Sequence, residues 1–217
     1  MGALGAFPSL TEQEFFEACQ SLECRSSDKI NDTDWLSVRW TGKELLIKQK
    51  RKLSDQNHQN PKDDDEANRD DTIEEGMEDT IYHNTLVPRG NGSDFLIVDF
   101  SITISPTYQV PVLWFSCHFG LDQKPLSLDQ VYRWMVPQTL HDSLRRVSVM
   151  GGISMAHHPV SDLPAFFLHP CNTPEALSVL RPDEPLTPEG YLILWLGLVG
   201  SVVGLHVPSK LFDHGVG

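Results

Sequence analysis

Two runs rich in β-branched and aromatic residues, 94–104 (DFLIVDFSITI) and 108–119 (YQVPVLWFSCHF), stand only three residues apart. So short a link, Ser105-Pro106-Thr107, makes an antiparallel pair the simplest arrangement, because parallel strands need a crossover of a dozen residues or more. Pro111 lies inside the second run. Proline cannot donate to a ladder, so an edge position or a bulge is expected there. Upstream, Trp35-Leu-Ser-Val-Arg-Trp40 and Glu44-Leu-Leu-Ile-Lys48, joined through Thr41-Gly42, read as a hairpin.

Helix signals surround these strands. Ser9-x-x-Glu12 and Thr11-x-x-Glu14 are overlapping capping boxes ahead of Phe15, Phe16, Cys19 and Leu22 at helical spacing. Ser127-x-x-Gln130 opens a helix whose inner stripe is expected to be Leu128, Val131, Trp134 and Met135, ending before Pro137. Residues 139–158, with Gly151-Gly152 and His157-His158-Pro159, read as a loop leading into the strand Pro164-Ala-Phe-Phe-Leu168. Adjacent histidines without further ligands belong on a loop surface rather than at a metal. Thr187-Pro188-Glu189 opens the last element, the uncharged run 191–207. That run falls short of the roughly 20 residues a membrane span needs, is broken by Gly197, Gly200 and Gly204, and lacks a basic flank on the helix side. A buried helix followed by a short strand-like tail is expected instead. A helix, then strands, then helices describes an α+β domain with helices packed on an antiparallel sheet. The 217 residues, 40% apolar, suffice for one such domain spanning 1–217.

The net charge of −13 is concentrated in one place: residues 63–79 hold ten acidic side chains against Arg69 alone. Residues 50–90 therefore read as a flexible acidic insertion between strands, with little apolar surface to bury. No broad basic face remains for a phosphate backbone, which argues against nucleic acid. The four cysteines, Cys19, Cys24, Cys117 and Cys171, form no CxxC pair and no zinc-ligand spacing. With no secretory leader at Met1, a cytoplasmic protein with free thiols is expected, and Ala6 at the sixth position disfavours myristoylation.

The feature that carries chemistry is His169-Pro170-Cys171. It places a thiol at the end of an apolar strand and just before Thr173-Pro174-Glu175, a helix start with Thr as N-cap and Pro at the first position. The positive end of a helix favours thiolate over thiol, and so favours nucleophilic or thioester chemistry. Cys117, beside His118, sits mid-strand, where alternation sends neighbouring side chains to opposite faces. They do not form a dyad.

Four blocks in order, Tyr108-Gln-Val-Pro-Val-Leu-Trp-Phe, Lys124-Pro-Leu-Ser-Leu-Asp-Gln, Phe166-Phe-Leu-His-Pro-Cys171 and Trp195-Leu-x-Leu-Val-Gly-x-Val-Val-Gly-Leu205, resemble the autophagy-related protein 10 family of ubiquitin-like-conjugating enzymes. The resemblance covers residues 10–40 and 95–208 and leaves the acidic insertion outside. It implies a ubiquitin-conjugating-enzyme-like fold and an acyl-carrier mechanism with no cofactor and no metal. A modifier, autophagy-related protein 12, would arrive as a thioester on the activating enzyme, autophagy-related protein 7. Its terminal glycine would pass to Cys171 and then to a lysine of autophagy-related protein 5, in support of autophagosome formation. Recruitment from the cytoplasm to the forming autophagosome membrane would follow. A thioester is already activated, so an accessible sulfur, an oxyanion donor and desolvation of the amine suffice without a full triad. His169 is expected to serve structurally through hydrogen bonding. Asn172 and Tyr108 are the candidate oxyanion donors. Three alternatives stand beside this one: a conjugating enzyme of the autophagy-related protein 3 type that transfers to phosphatidylethanolamine, a non-catalytic docking module of the same fold, and a thiol hydrolase using Cys171.

Overall fold

A computed structural model of the chain describes residues 3–53, 95–120, 125–146, 152–180 and 185–212. Among the described residues the sheet has six strands: β1 (Trp35–Trp40), β2 (Leu45–Lys52), β3 (Phe95–Ile104), β4 (Pro111–Phe119), β5 (Ile153–His157) and β6 (Pro164–Leu168). They lie in the order β1-β2-β3-β4-β6-β5, and every pairing is antiparallel. The expected α+β architecture, an antiparallel sheet flanked by helices, is what the chain adopts.

Alternation along the central strands sorts the sheet into two faces. Leu45, Ile47, Leu96, Val98, Phe100, Ile102, Leu113, Phe115, Phe166 and Leu168 point into one core. The alternating positions, among them Lys48, Asp99, Ser101, Trp114 and Phe167, share the other face, as their cross-strand partnering requires. Of the span read as an insertion, residues 54–90 lie outside the described residues, while Lys50, Arg51 and Lys52 finish β2. Lys52 and Phe95 are direct cross-strand partners.

Pro111 is neither at an edge nor in a bulge. It opens β4, opposite Ile104, in a strand flanked by β3 and β6. A strand's first residue is the remaining position where the missing N–H disturbs no ladder.

Helix α1 (Glu12–Ser26) starts at Thr11, whose hydroxyl accepts the Glu14 amide while Glu14 accepts the Thr11 amide. It buries Phe15, Ala18, Cys19 and Leu22. Helix α5 (Pro188–Val199), capped by Thr187, packs against it through Tyr191, Leu192, Trp195 and Leu196. The two helices are tied by Arg25 Nε to Glu189 Oε1 at 2.6 Å. Among the described residues no helix is long and apolar enough to cross a membrane. The expected strand-like tail is absent: after α5 the chain winds a 3-10 turn, Gly200–Val203, and reverses at Gly204, where φ is +68°. Leu205 N–H then returns to Gly200 C=O at 2.8 Å.

Helix α2 (Leu128–Met135) has the expected Ser127–Gln130 capping box, but its inner face is Val131, Tyr132 and Met135. Leu128 is 43% exposed, and Trp134 is half-buried with its ring edge-on to Phe119 at 6.1 Å. Among the described residues, 139–158 are not all loop: they take in α3 (Gln138–Arg146) from its second residue onward and the edge strand β5. Both are short, and β5 spends alternate positions on solvent, so neither writes a long apolar period.

Candidate active site

Strand β6 delivers Cys171. Its inner residues Phe166 and Leu168 anchor the strand in the core, and Phe167 stacks on Trp114 of β4 on the other face, centroids 4.7 Å apart. Immediately after β6, His169 turns the chain into a 3-10 turn, Pro170–Asn172, which runs on into α4 (Thr173–Leu180). The N-cap of this combined helix is His169, not Thr173. Its Nδ1 accepts the Cys171 amide at 3.2 Å, and Thr173 already has helical torsions, φ −61° and ψ −44°. Pro170 at the first helical position explains the earlier start, since its fixed φ suits a helix and it has no N–H to satisfy. The thiol therefore sits within the first turn rather than ahead of it.

Tyr108 reaches this place from the β3–β4 connection. The connection is shaped by Gln109 at φ +53°, by Gln109 N–H to Ser105 C=O at 2.9 Å, and by Tyr108 N–H to Ser105 Oγ at 3.2 Å. The Tyr108 ring meets the His169 imidazole edge-on at 5.7 Å. His169 also leans on Phe167, centroids 6.2 Å apart. Tyr108, His169 and Cys171 are thus gathered at one end of β6, with Asn172 next along the same turn. Because the Cys171 N–H is committed to His169, an oxyanion on that sulfur's acyl group needs a donor from another residue. The sequence did not point to Trp114 and Phe167, the stack beneath His169. The alternation of aromatic residues in both strands was the only available signal.

The other thiols differ. Cys171 is half-buried and Cys24 exposed, while Cys19 and Cys117 are buried in the core. Burial pushes the Cys19 thiol far up, and Cys117 up to about 12. Cys117 points into the core while its neighbour His118 turns towards Asp99, 3.9 Å away on the opposite face. Among the described residues no three His, Cys, Asp or Glu side chains gather as metal ligands.

The adjacent histidines part company. His157 is 73% exposed at the side chain, beside Asp162 at 3.3 Å. His158, expected at a loop surface, is only 5% exposed. Its Nε2 lies 2.9 Å from Ser101 Oγ, and its Nδ1 accepts the Ser161 amide at 3.2 Å. It continues the Ser154 side of β5, the face that carries Phe167, Trp114 and Ser101, and lies down on the sheet there, where Ser101, Val160 and Ser161 satisfy it.

Residues 14–210 match the family described as "Autophagocytosis associated protein, active-site domain". The chain is 40% identical over 119 residues to the ubiquitin-like-conjugating enzyme ATG10 of Gibberella zeae, covering 54% of this chain and 49% of that protein. It is 30% identical over 141 residues to the Homo sapiens protein of the same name, covering 63% and 61%. The chain thus spans about half to three fifths of the length of these relatives. A crystal structure titled autophagic E2, Atg10, aligns with 93% of this chain and all of its own at 16% identity and a TM-score of 0.46.

Proposed function

From the premise that the chain belongs to the autophagocytosis-associated active-site-domain family, we propose that it is a ubiquitin-like-conjugating enzyme that carries its modifier as a thioester on Cys171. The supporting observation is the half-buried thiol in the first turn after β6, inside the matched segment, with His169 bonded to its amide and Tyr108 against His169. The modifier is autophagy-related protein 12, the donor is its thioester on autophagy-related protein 7, and the acceptor is a lysine of autophagy-related protein 5. The work is done in the cytoplasm, at the forming autophagosome membrane.

Two acyl transfers make up the reaction. The Cys171 thiolate attacks the thioester carbonyl of the modifier's terminal glycine, and the activating enzyme's thiolate leaves with the electron pair. The acceptor lysine, as the free amine, then attacks the new thioester. Cys171 thiolate departs, the amine loses a proton, and an isopeptide bond remains. Neither step needs a cofactor on this chain, because the energy was stored when the thioester formed. Each tetrahedral intermediate places negative charge on oxygen. Asn172 through its side-chain amide, or Tyr108 through its hydroxyl, supplies the donor that the Cys171 amide does not, while His169 holds the turn. Truncating the true donor should lower the discharge rate of a thioester loaded beforehand by about 10²–10³-fold.

The test mixes the purified chain with activating enzyme, modifier and ATP. A reducible adduct is expected, absent in Cys171→Ala and replaced in Cys171→Ser by an oxyester that survives thiols. An adduct that persists in Cys171→Ala would sink the assignment, and no adduct on the wild-type chain would favour a docking module.

A further inference from the structure

Strand β6 is tied to the rest of the sheet by little backbone. Its ladder with β4 consists of Trp114↔Phe167 and Phe115↔Phe166. Its other neighbour, β5, is an edge strand that pairs, among the described residues, with β6 alone. A hairpin attached through so short a ladder frays unless side chains hold it. The tip of that hairpin carries His158, inserted against the main sheet.

There the imidazole meets Ser101 of β3 and Glu44 from the β1–β2 turn, all three buried. Ser101 Oγ donates to Glu44 Oε2 at 2.5 Å, and His158 Nε2 lies 2.9 Å from Ser101 Oγ and 3.5 Å from Glu44 Oε2. On its other side Nδ1 accepts backbone N–H groups from Val160 at 3.3 Å and Ser161 at 3.2 Å. A backbone N–H can only donate, so Nδ1 carries no proton and the ring proton sits on Nε2. The bonds therefore run one way, from the loop amides to Nδ1, from Nε2–H to Ser101, and from Ser101 O–H to the Glu44 carboxylate. A catalytic triad would need the carboxylate at Nδ1, so this is not one. Its rings lead to the thiol instead: His158 is edge-on to Trp114 at 5.1 Å, Trp114 stacks on Phe167, and Phe167 meets His169, the cap of Cys171.

We infer that His158, Ser101 and Glu44 form a pin that docks the β5–β6 hairpin on the sheet and so positions the Cys171 turn, and that protonation of His158 releases it. This rests on the conjugating role of Cys171 for its functional meaning, though not for its structural content. A second ring proton would face the Val160 and Ser161 N–H groups, donor against donor, and open the clasp. Among the described residues, the groups facing the imidazole are Glu44 before β2, Ser101 of β3, Trp114 of β4 and Ser161 of its own loop; only Glu44 is charged. Burial lowers the His158 pKa, and the Glu44 charge opposes that. His158, Ser101 and Glu44 are positioning residues, because none touches the reacting sulfur.

The experiment follows amide-exchange protection of residues 165–169 and of Cys171 against pH in the full chain, alongside single-turnover discharge of the thioester. Protection is expected to fall together with discharge as His158 protonates. In His158→Phe, which keeps a ring against Trp114, protection at neutral pH should drop about tenfold, the loss of roughly one net hydrogen bond. Glu44→Gln keeps an acceptor for Ser101 but removes the charge that favours imidazolium, so its acid release should move to lower pH. Unchanged protection in His158→Phe, or an acid release that stays put or rises in Glu44→Gln, would overturn the pin. Absence of any thioester on the wild-type chain would count against the conjugating role alone, since exchange protection reads the pin without it.

Discussion

The bond from the Cys171 amide to His169 Nδ1 ties the cap and the thiol turn together. His169→Ala removes the acceptor that starts this helix, and loss of an N-cap costs about 1 kcal/mol. The cost should appear as faster amide exchange at Cys171, Asn172 and Thr173, the amides between Pro170 and Pro174, and His169→Asn, which restores a short side-chain acceptor, should recover most of it. Peptide-resolved alkylation of the native chain should label Cys171 and Cys24 quickly while Cys19 and Cys117 wait for unfolding, because the latter two are buried with thiols raised by desolvation. Rapid labelling of Cys117 would contradict its place in the core. At Gly204 the backbone has φ +68°, and a Cβ would run into Arg51 Nη2, the group that donates to Val203 C=O at 2.9 Å and Gly204 C=O at 2.7 Å. Gly204→Ala should cost about 1–3 kcal/mol, read from denaturant unfolding.

At the scale of elements, the joint between α1 and α5 includes the Arg25–Glu189 pair, in which the Glu189 side chain is 9% exposed. Arg25→Ala strands that charge and should lower stability by about 2–3 kcal/mol, whereas Arg25→Ala combined with Glu189→Gln should regain part of the loss, both measured by chemical denaturation. Elements with a strong local signal were legible in the sequence. Thr11, Ser127 and Thr187 cap the helices their motifs announced, and the runs around Trp35–Trp40, Phe95–Ile104 and Pro164–Leu168 are strands. Elements held by tertiary contacts were not. β5 depends on pairing with β6, α3 carries a polar sequence, and the tail after α5 curls because Gly204 reverses it. The candidate site followed the same division. The Cys171 motif was local and visible, whereas the earlier helix start at His169 depended on Pro170, and the burial of His158 depended on Ser101 and Glu44, 57 residues apart in sequence.

For the whole molecule, His158 links stability to pH. Its folded pKa lies below the ordinary imidazole value of 6.5, so the unfolded chain binds the proton more readily. The associated stability is fully present above 6.5 and declines as the pH falls below it. Thermal unfolding should therefore show a drop in midpoint from pH 7.5 to 5.5 that is smaller in His158→Phe. The described core closes without residues 54–94. Excising 55–79 should leave unfolding cooperative, with a midpoint within a few degrees of the parent by calorimetry. The pairing of Lys52 with Phe95 has a consequence for how such a chain can change over generations. Both ends of the intervening segment are fixed side by side by the ladder itself, so any flexible chain joining them would enter the stability only as a logarithm of its length. Doubling such a chain would add about 0.6 kcal/mol of closure entropy, so insertions and deletions of that kind would be nearly neutral to folding and open to selection for other ends.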